Sequence, residues 1–182
     1  PHQRHVEKGV ACGKCHAADP HTDPQISQQS CSTCHHQLKE TNCSACHAQQ
    51  AALYTGKAQA WGAKGEPDPM ADADVTCREC HDPAKSWSIE AVGKACVGCH
   101  EEGYDQMLTT WRERVTAELG RVAALAAQAR TQGVGGEGLA RAEAWMELVA
   151  EGKGAHNQAF ALELLGKAEG ELRQVMAPGS GA

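Results

Sequence analysis

The sequence predicts a mainly α chain of two textures, and three observations predict it. All ten cysteines of the 182 residues fall into five C-x-x-C-H runs between residues 12 and 100. Beyond residue 104, apolar side chains recur at steps of three and four. Large apolar side chains are scarce, with aromatics at 4%, a single Phe and a mean hydropathy of −0.49. Together these call for little regular structure around the five motifs, followed by a C-terminal bundle of about three helices.

The runs are Cys12-Gly-Lys-Cys15-His16, Cys31-Ser-Thr-Cys34-His35, Cys43-Ser-Ala-Cys46-His47, Cys77-Arg-Glu-Cys80-His81 and Cys96-Val-Gly-Cys99-His100. This spacing is the attachment signature of c-type haem. Two thiols three residues apart sit about one helical turn apart, so each can add to one vinyl group of a single porphyrin. The next residue then lies beneath the ring, where its imidazole binds iron from the proximal side. Other uses of cysteine fit poorly. A disulfide framework needs no His after every second Cys. Structural zinc takes two C-x-x-C pairs per site, and five pairs leave one stranded. A thioredoxin-like pair is single and sits near a βαβ pattern. Five covalent haems c also make good the shortage of apolar bulk, because each macrocycle supplies the surface that aromatics usually provide.

The motifs crowd residues 12–100, leaving room for short helical turns and loops. Residues 1–56 carry three of them and residues 77–100 two. Between them residues 57–76, with Gly62, Gly65, Pro67 and Pro69, read as a loop. Then Tyr104, Leu108, Trp111, Val115, Leu119, Val122, Leu125 and Ala129 mark an amphipathic helix. A break at Gly133–Gly138 precedes a second helix over Leu139–Glu151. After Gly152-Lys153-Gly154, a third carries Phe160, Leu164, Ala168, Leu172 and Val175 on one face. The expectation is one domain over residues 1–182, with a haem-binding region at 1–100 and a helical region at 101–177.

Five of the ten His close the motifs; the others are His2, His5, His21, His36 and His156. Five six-coordinate irons need five distal ligands, and the two counts match. Residues 2–47 hold three proximal and four distal candidates, whereas residues 77–100 hold two proximal and none. His156 can serve only one of that second pair, so at least one early His must reach haem four or five if all are bis-His. His156, four residues before Phe160, is read as lying on the inward stripe of the third helix. Met is the usual substitute ligand; Met107, Met146 and Met176 have ordinary helix-packing roles, which leaves Met70.

Formal net charge is −6, and each ferric bis-imidazole haem adds roughly one more negative charge through its propionates. That argues against nucleic acid and suits docking to basic patches on redox proteins. No apolar run approaches membrane-spanning length. Haem c attachment takes place outside the cytoplasm, so a periplasmic or extracellular location is expected, with a signal or anchor removed ahead of Pro1.

His2-x-x-His5 ahead of the first motif, with the Cys34-His35-His36 doublet, resembles the small class III tetrahaem and trihaem cytochromes. That resemblance implies His2 as a ligand of haem one, His5 of haem three and His36 of another haem. The run His5-Val6-Glu7-Lys8-Gly9-Val10-x-Cys12, with Pro20-His21, is also similar to membrane-anchored quinol-oxidising multihaem cytochromes. The stretch Gly154-Ala155-His156-Asn157-x-x-Phe160-Ala161-x-x-Leu164-Leu165 resembles a late helix of the nitrite-reductase-like multihaem family, in which His can be a distal ligand. Those reductases carry a catalytic haem on C-x-x-C-K, whereas all five motifs here end in His, so their catalysis is not carried over.

The sequence therefore leads to a non-catalytic electron relay through five bis-His haems in an extracytoplasmic respiratory chain. Its partners would be redox proteins, such as a quinol-oxidising membrane complex or a terminal reductase. Two alternatives are a subunit of a cytochrome filament or anchored quinol-oxidising complex, and a nitrite- or hydroxylamine-type reductase with one open haem.

Overall fold

The computed structural model describes residues 2–16, 34, 42–82 and 88–177, within two compact units, 1–41 and 42–182. The chain is mainly α, and the described residues contain no strand.

In the first unit, helix α1 spans His2–Glu7. It ends because Gly9 turns left-handed at φ 69°, a conformation that costs glycine little. The Gly9 and Val10 N–H groups then donate to the carbonyls of Val6 and His5, at 3.0 and 2.9 Å, which closes the helix end. A 3₁₀ turn at Cys12–Lys14 follows.

The second unit opens with a 3₁₀ turn at Cys43–Ala45 and helix α2, Ala48–Thr55. Short helices α3, Pro69–Asp72, and α4, Cys77–Cys80, precede α5, Ile89–Cys96. Three longer helices complete it: α6, Tyr104–Thr131; α7, Glu137–Glu151; and α8, Gln158–Val175. The core lies where the last three meet. Val122, Ala126 and Ala129 of α6 pack with Leu139, Ala142, Trp145 and Leu148 of α7, and with Phe160, Leu164, Leu165 and Leu172 of α8. Small residues on α6 let the helix axes approach, and the larger side chains of α7 and α8 fill the space. Around the rim, Arg130 pairs with Glu143, Arg121 with Glu169, and Arg141 with Glu171, so each pair of long helices shares an ion pair.

Two expectations are corrected here. Residues 57–76 are not an open loop. They contain a 3₁₀ turn at Gln59–Trp61 and helix α3, whose N-terminus Asp68 caps by accepting the Met70 N–H at 3.0 Å. Ala58 is fully buried, Trp61 packs against the core, and the Trp145 indole donates to the Trp61 carbonyl at 2.9 Å. Gly and Pro marked turns correctly, but the apolar residues between them hold the segment against α7.

The inward stripe of α6 is also shorter than its periodicity. Burial begins at Val115; Leu108 and Trp111 are half-buried, and Tyr104 and Met107 are exposed. Length is the reason. A helix of 28 residues runs about 42 Å, whereas partners of 15 and 18 residues run about 22 and 27 Å. The first turns of α6 instead meet α5, where buried Gly93 brings the two helices close at Asp105. Met107 therefore lacks the packing role read from the sequence, while Met146 and Met176 do lie against the core.

Candidate haem-binding centre

Four of the five motifs are described at their closing His, and the backbone is wound the same way in each. The N–H of His16, His47, His81 and His100 donates to the carbonyl of the first Cys of its own motif, at 2.8–2.9 Å. One helical turn thus carries both thiols and the imidazole, the arrangement that attachment to a single porphyrin requires. The nine described cysteines, Cys12, Cys15, Cys34, Cys43, Cys46, Cys77, Cys80, Cys96 and Cys99, are free thiols, and most line exposed or half-exposed surface. These residues fit haem c: paired accessible thiols with an imidazole one residue on.

The second unit brings motifs three, four and five together. The Cys77 and Cys43 thiols lie within hydrogen-bonding reach, and Cys77 is pushed up, by burial first and then by Cys43. Burial also raises Cys80, with Cys96 the next contributor and Cys99 a lesser one. His81 is half-buried and its imidazolium is disfavoured, chiefly by burial and then by His156 and His47. A carbonyl of the connector supports this cluster. The Tyr54 hydroxyl donates to Val75 O at 2.6 Å, two residues before the fourth motif, and its pKa is raised to about 12, mainly by burial.

His156 lies opposite this cluster. Its ring centroid is 6.0 Å from that of His81, with the planes inclined by 35°. It does not lie on the third long helix, as the sequence reading had it, but in a 3₁₀ turn over Gly154–Asn157 just before it. Asn157 sets that boundary: its side-chain oxygen accepts the Phe160 N–H at 3.0 Å, so α8 starts after it. His156 Nδ1 sits 2.9 Å from Gly152 O and 3.0 Å from Lys153 O. Carbonyl oxygens only accept, so Nδ1 is the donor, and Nε2 is the ring nitrogen that these two contacts leave for another partner. A ring nitrogen held this way by backbone is the usual support behind a metal-ligating His.

The turn depends on close packing. A Cβ at Gly152 would meet Leu148 O at 2.6 Å and Leu53 Cδ1 at 2.7 Å, and one at Gly154 would meet Val115 Cγ1 at 2.5 Å. Lys153 between them is left-handed at φ 53°. Sequence reading took these glycines only as a helix break. It also missed Asn157, whose buried amide donates to Leu53 O at 3.1 Å and Glu66 O at 2.9 Å. Asn is a favoured helix N-cap and its place three residues before Phe160 marks that role, but nothing local marks its bonds to the distant Leu53 and Glu66 carbonyls.

At the fifth motif, the rings of His100 and Tyr104 stack at 4.3 Å, 7° from parallel, where the helix stripe had suggested only core packing for Tyr104. Met70, the candidate substitute ligand, is half-buried in the first turn of α3. In the first unit, His5 is half-buried on α1, which also carries His2, and Cys34 is exposed. His21, Cys31, His35 and His36 lie outside the described residues. Among the described residues, no group of three or more His, Cys, Asp or Glu gathers to hold a bare metal ion. Haem iron takes only its axial ligands from protein.

No family model matches the chain, and no curated protein and no solved structure matches it either.

Proposed function

We propose that this chain is a pentahaem c-type cytochrome that passes electrons between redox proteins outside the cytoplasm. The observation that carries this reading is the use of all ten cysteines in five C-x-x-C-H runs, with none left over. The shared one-turn winding of the four described motifs supports it. The ten thiols hold five haems c. His16, His35, His47, His81 and His100 supply the proximal imidazoles, and His2, His5, His21, His36 and His156 the distal ones. Bound haem supplies a one-electron ferric–ferrous couple.

The chain's own residues do the rest. Thioether anchors on single helical turns fix where each group sits, and only short helices and turns separate the third, fourth and fifth motifs. Imidazole on both faces leaves no coordination position for a substrate, which favours a relay over a reductase. The bundle of helices after residue 100 gives the cluster a polypeptide core to stand on. A formal charge of −6 favours docking on basic patches of a quinol-oxidising membrane complex or a terminal reductase.

The test is the spectrum of the chain matured with covalent haem. All five haems should be low-spin in the ferric state, and the ferrous protein should bind no carbon monoxide. A high-spin haem that binds carbon monoxide, nitrite or hydroxylamine would replace the relay by an enzyme with one open site.

A further inference from the structure

We infer that His81 and His156 are the two axial ligands of one iron, that of the haem attached at Cys77 and Cys80. The inference rests on the haem reading above and goes on to assign one distal ligand to one motif.

The distance between the rings carries it. Metal–imidazole bonds are about 2.0 Å long. A five-membered ring with bonds near ~1.33 Å has a radius of about 1.1 Å. Two imidazoles on opposite sides of one metal therefore have centroids about 6.3 Å apart. The His81 and His156 centroids are 6.0 Å apart. Rings that simply stack lie closer, as His100 and Tyr104 do at 4.3 Å. Two rings that share an axis through a metal can turn freely about it, so the 35° inclination fits the same arrangement.

The chemistry of His156 agrees. The Gly152 carbonyl holds its proton on Nδ1, which leaves Nε2 as the nitrogen available to a metal. The ring hangs from a turn entered through Gly152 and Gly154, neither of which admits a Cβ, and closed by Asn157, which is bonded to α2 and to the connector. Such packing holds a ligand in place before its metal arrives. Within residues 42–182 the other His are His47, His81 and His100, each closing its own motif. His156 is the imidazole in this unit that no motif employs.

The consequence is mechanical as well as chemical. The fourth motif and the long helices are joined through iron, so the helical region steadies a haem instead of trailing behind the cluster.

The test compares the matured wild-type chain with His156→Ala and His156→Met. Both variants should keep five covalent haems by intact mass, because His156 is not an attachment residue. His156→Ala should turn one haem of the five high-spin and open it to carbon monoxide, and added imidazole should restore the low-spin spectrum. His156→Met should keep that haem low-spin and raise its potential above the wild-type value. In a Cys77→Ser, Cys80→Ser, His81→Ala background, which removes the fourth haem, His156→Ala should cause no further spectral change. Five low-spin haems and unchanged potentials in both His156 variants would overturn the pairing alone. A new high-spin haem in the background lacking the fourth would move His156 to another iron. A wild-type chain that takes up no covalent haem would overturn the cytochrome reading itself.

Discussion

The side-chain amide of Asn157 donates to the backbone carbonyl of Leu53, 104 positions earlier in the chain, at 3.1 Å. The same amide reaches Glu66 O, and the side-chain oxygen caps α8. One buried residue therefore joins α2, the connector and the start of α8, directly beside His156. Its removal strips a helix cap, worth about 1 kcal/mol, and takes the donor from Glu66 O at about 1–3 kcal/mol for an unsatisfied group, while Leu53 O still accepts the Gly56 N–H at 3.1 Å. Asn157→Ala should destabilise the holoprotein by about 2–4 kcal/mol in chemical denaturation. A control at exposed Gln128 on α6 should stay within about 0.5 kcal/mol of wild type.

Glycines separate into two kinds by what surrounds them. Gly152→Ala would force a Cβ against Leu148 O, Leu53 Cδ1 and Gln49 O. It should cost about 1–3 kcal/mol, the range for overpacking, and it should disturb His156, whose proton is held by the Gly152 carbonyl. Gly166 and Gly170 sit in the interior of α8 with open space around them. Alanine at either should stabilise by about 0.5–1 kcal/mol, because glycine is the poorer helix former. Thermal denaturation of the three single variants should show these opposite signs.

Acid stability should carry a signature of Glu169. Arg121 and then Arg173 hold its carboxyl down to about 2, well below the ordinary 4.5. A carboxylate whose folded pKa is depressed adds stability that is complete above about pH 4.5 and fades as pH falls toward about 2. The group is half-buried at the rim and its arginine partners are exposed, so the effect is modest and salt screens it. In low salt, Glu169→Gln should therefore lose stability near neutral pH and converge with wild type toward pH 2. In high salt the difference should shrink. Parallel stability curves from pH 7 to pH 2 would count against this role.

Local patterns made the large elements legible. The helices predicted over Tyr104–Ala129 and Leu139–Glu151 end within two residues of those observed, because heptad-like spacing and glycine breaks are read within one or two turns. The C-x-x-C-H spacing likewise carried its own geometry, a single turn with His N–H bonded to the first Cys carbonyl. Long-range relationships left no such trace. The packing of Ala58, Trp61 and Ala63 against the core depends on α7 standing opposite, and Gly152 is required by α2, which lies about a hundred residues earlier. His156 could be counted as a spare imidazole, but its nearness to His81 and its turn before α8 came only from packing in space. The first turns of α6 misled for the same reason: the stripe is apolar, yet α7 and α8 are too short to cover it.

Intact mass of the chain, produced with a haem c maturation system and exported from the cytoplasm, tests the central claim most directly. The account predicts the 19.3 kDa polypeptide plus five haems, with no thiol left to alkylate after denaturation. A properly exported chain at bare polypeptide mass, with its ten cysteines still reactive, would contradict it.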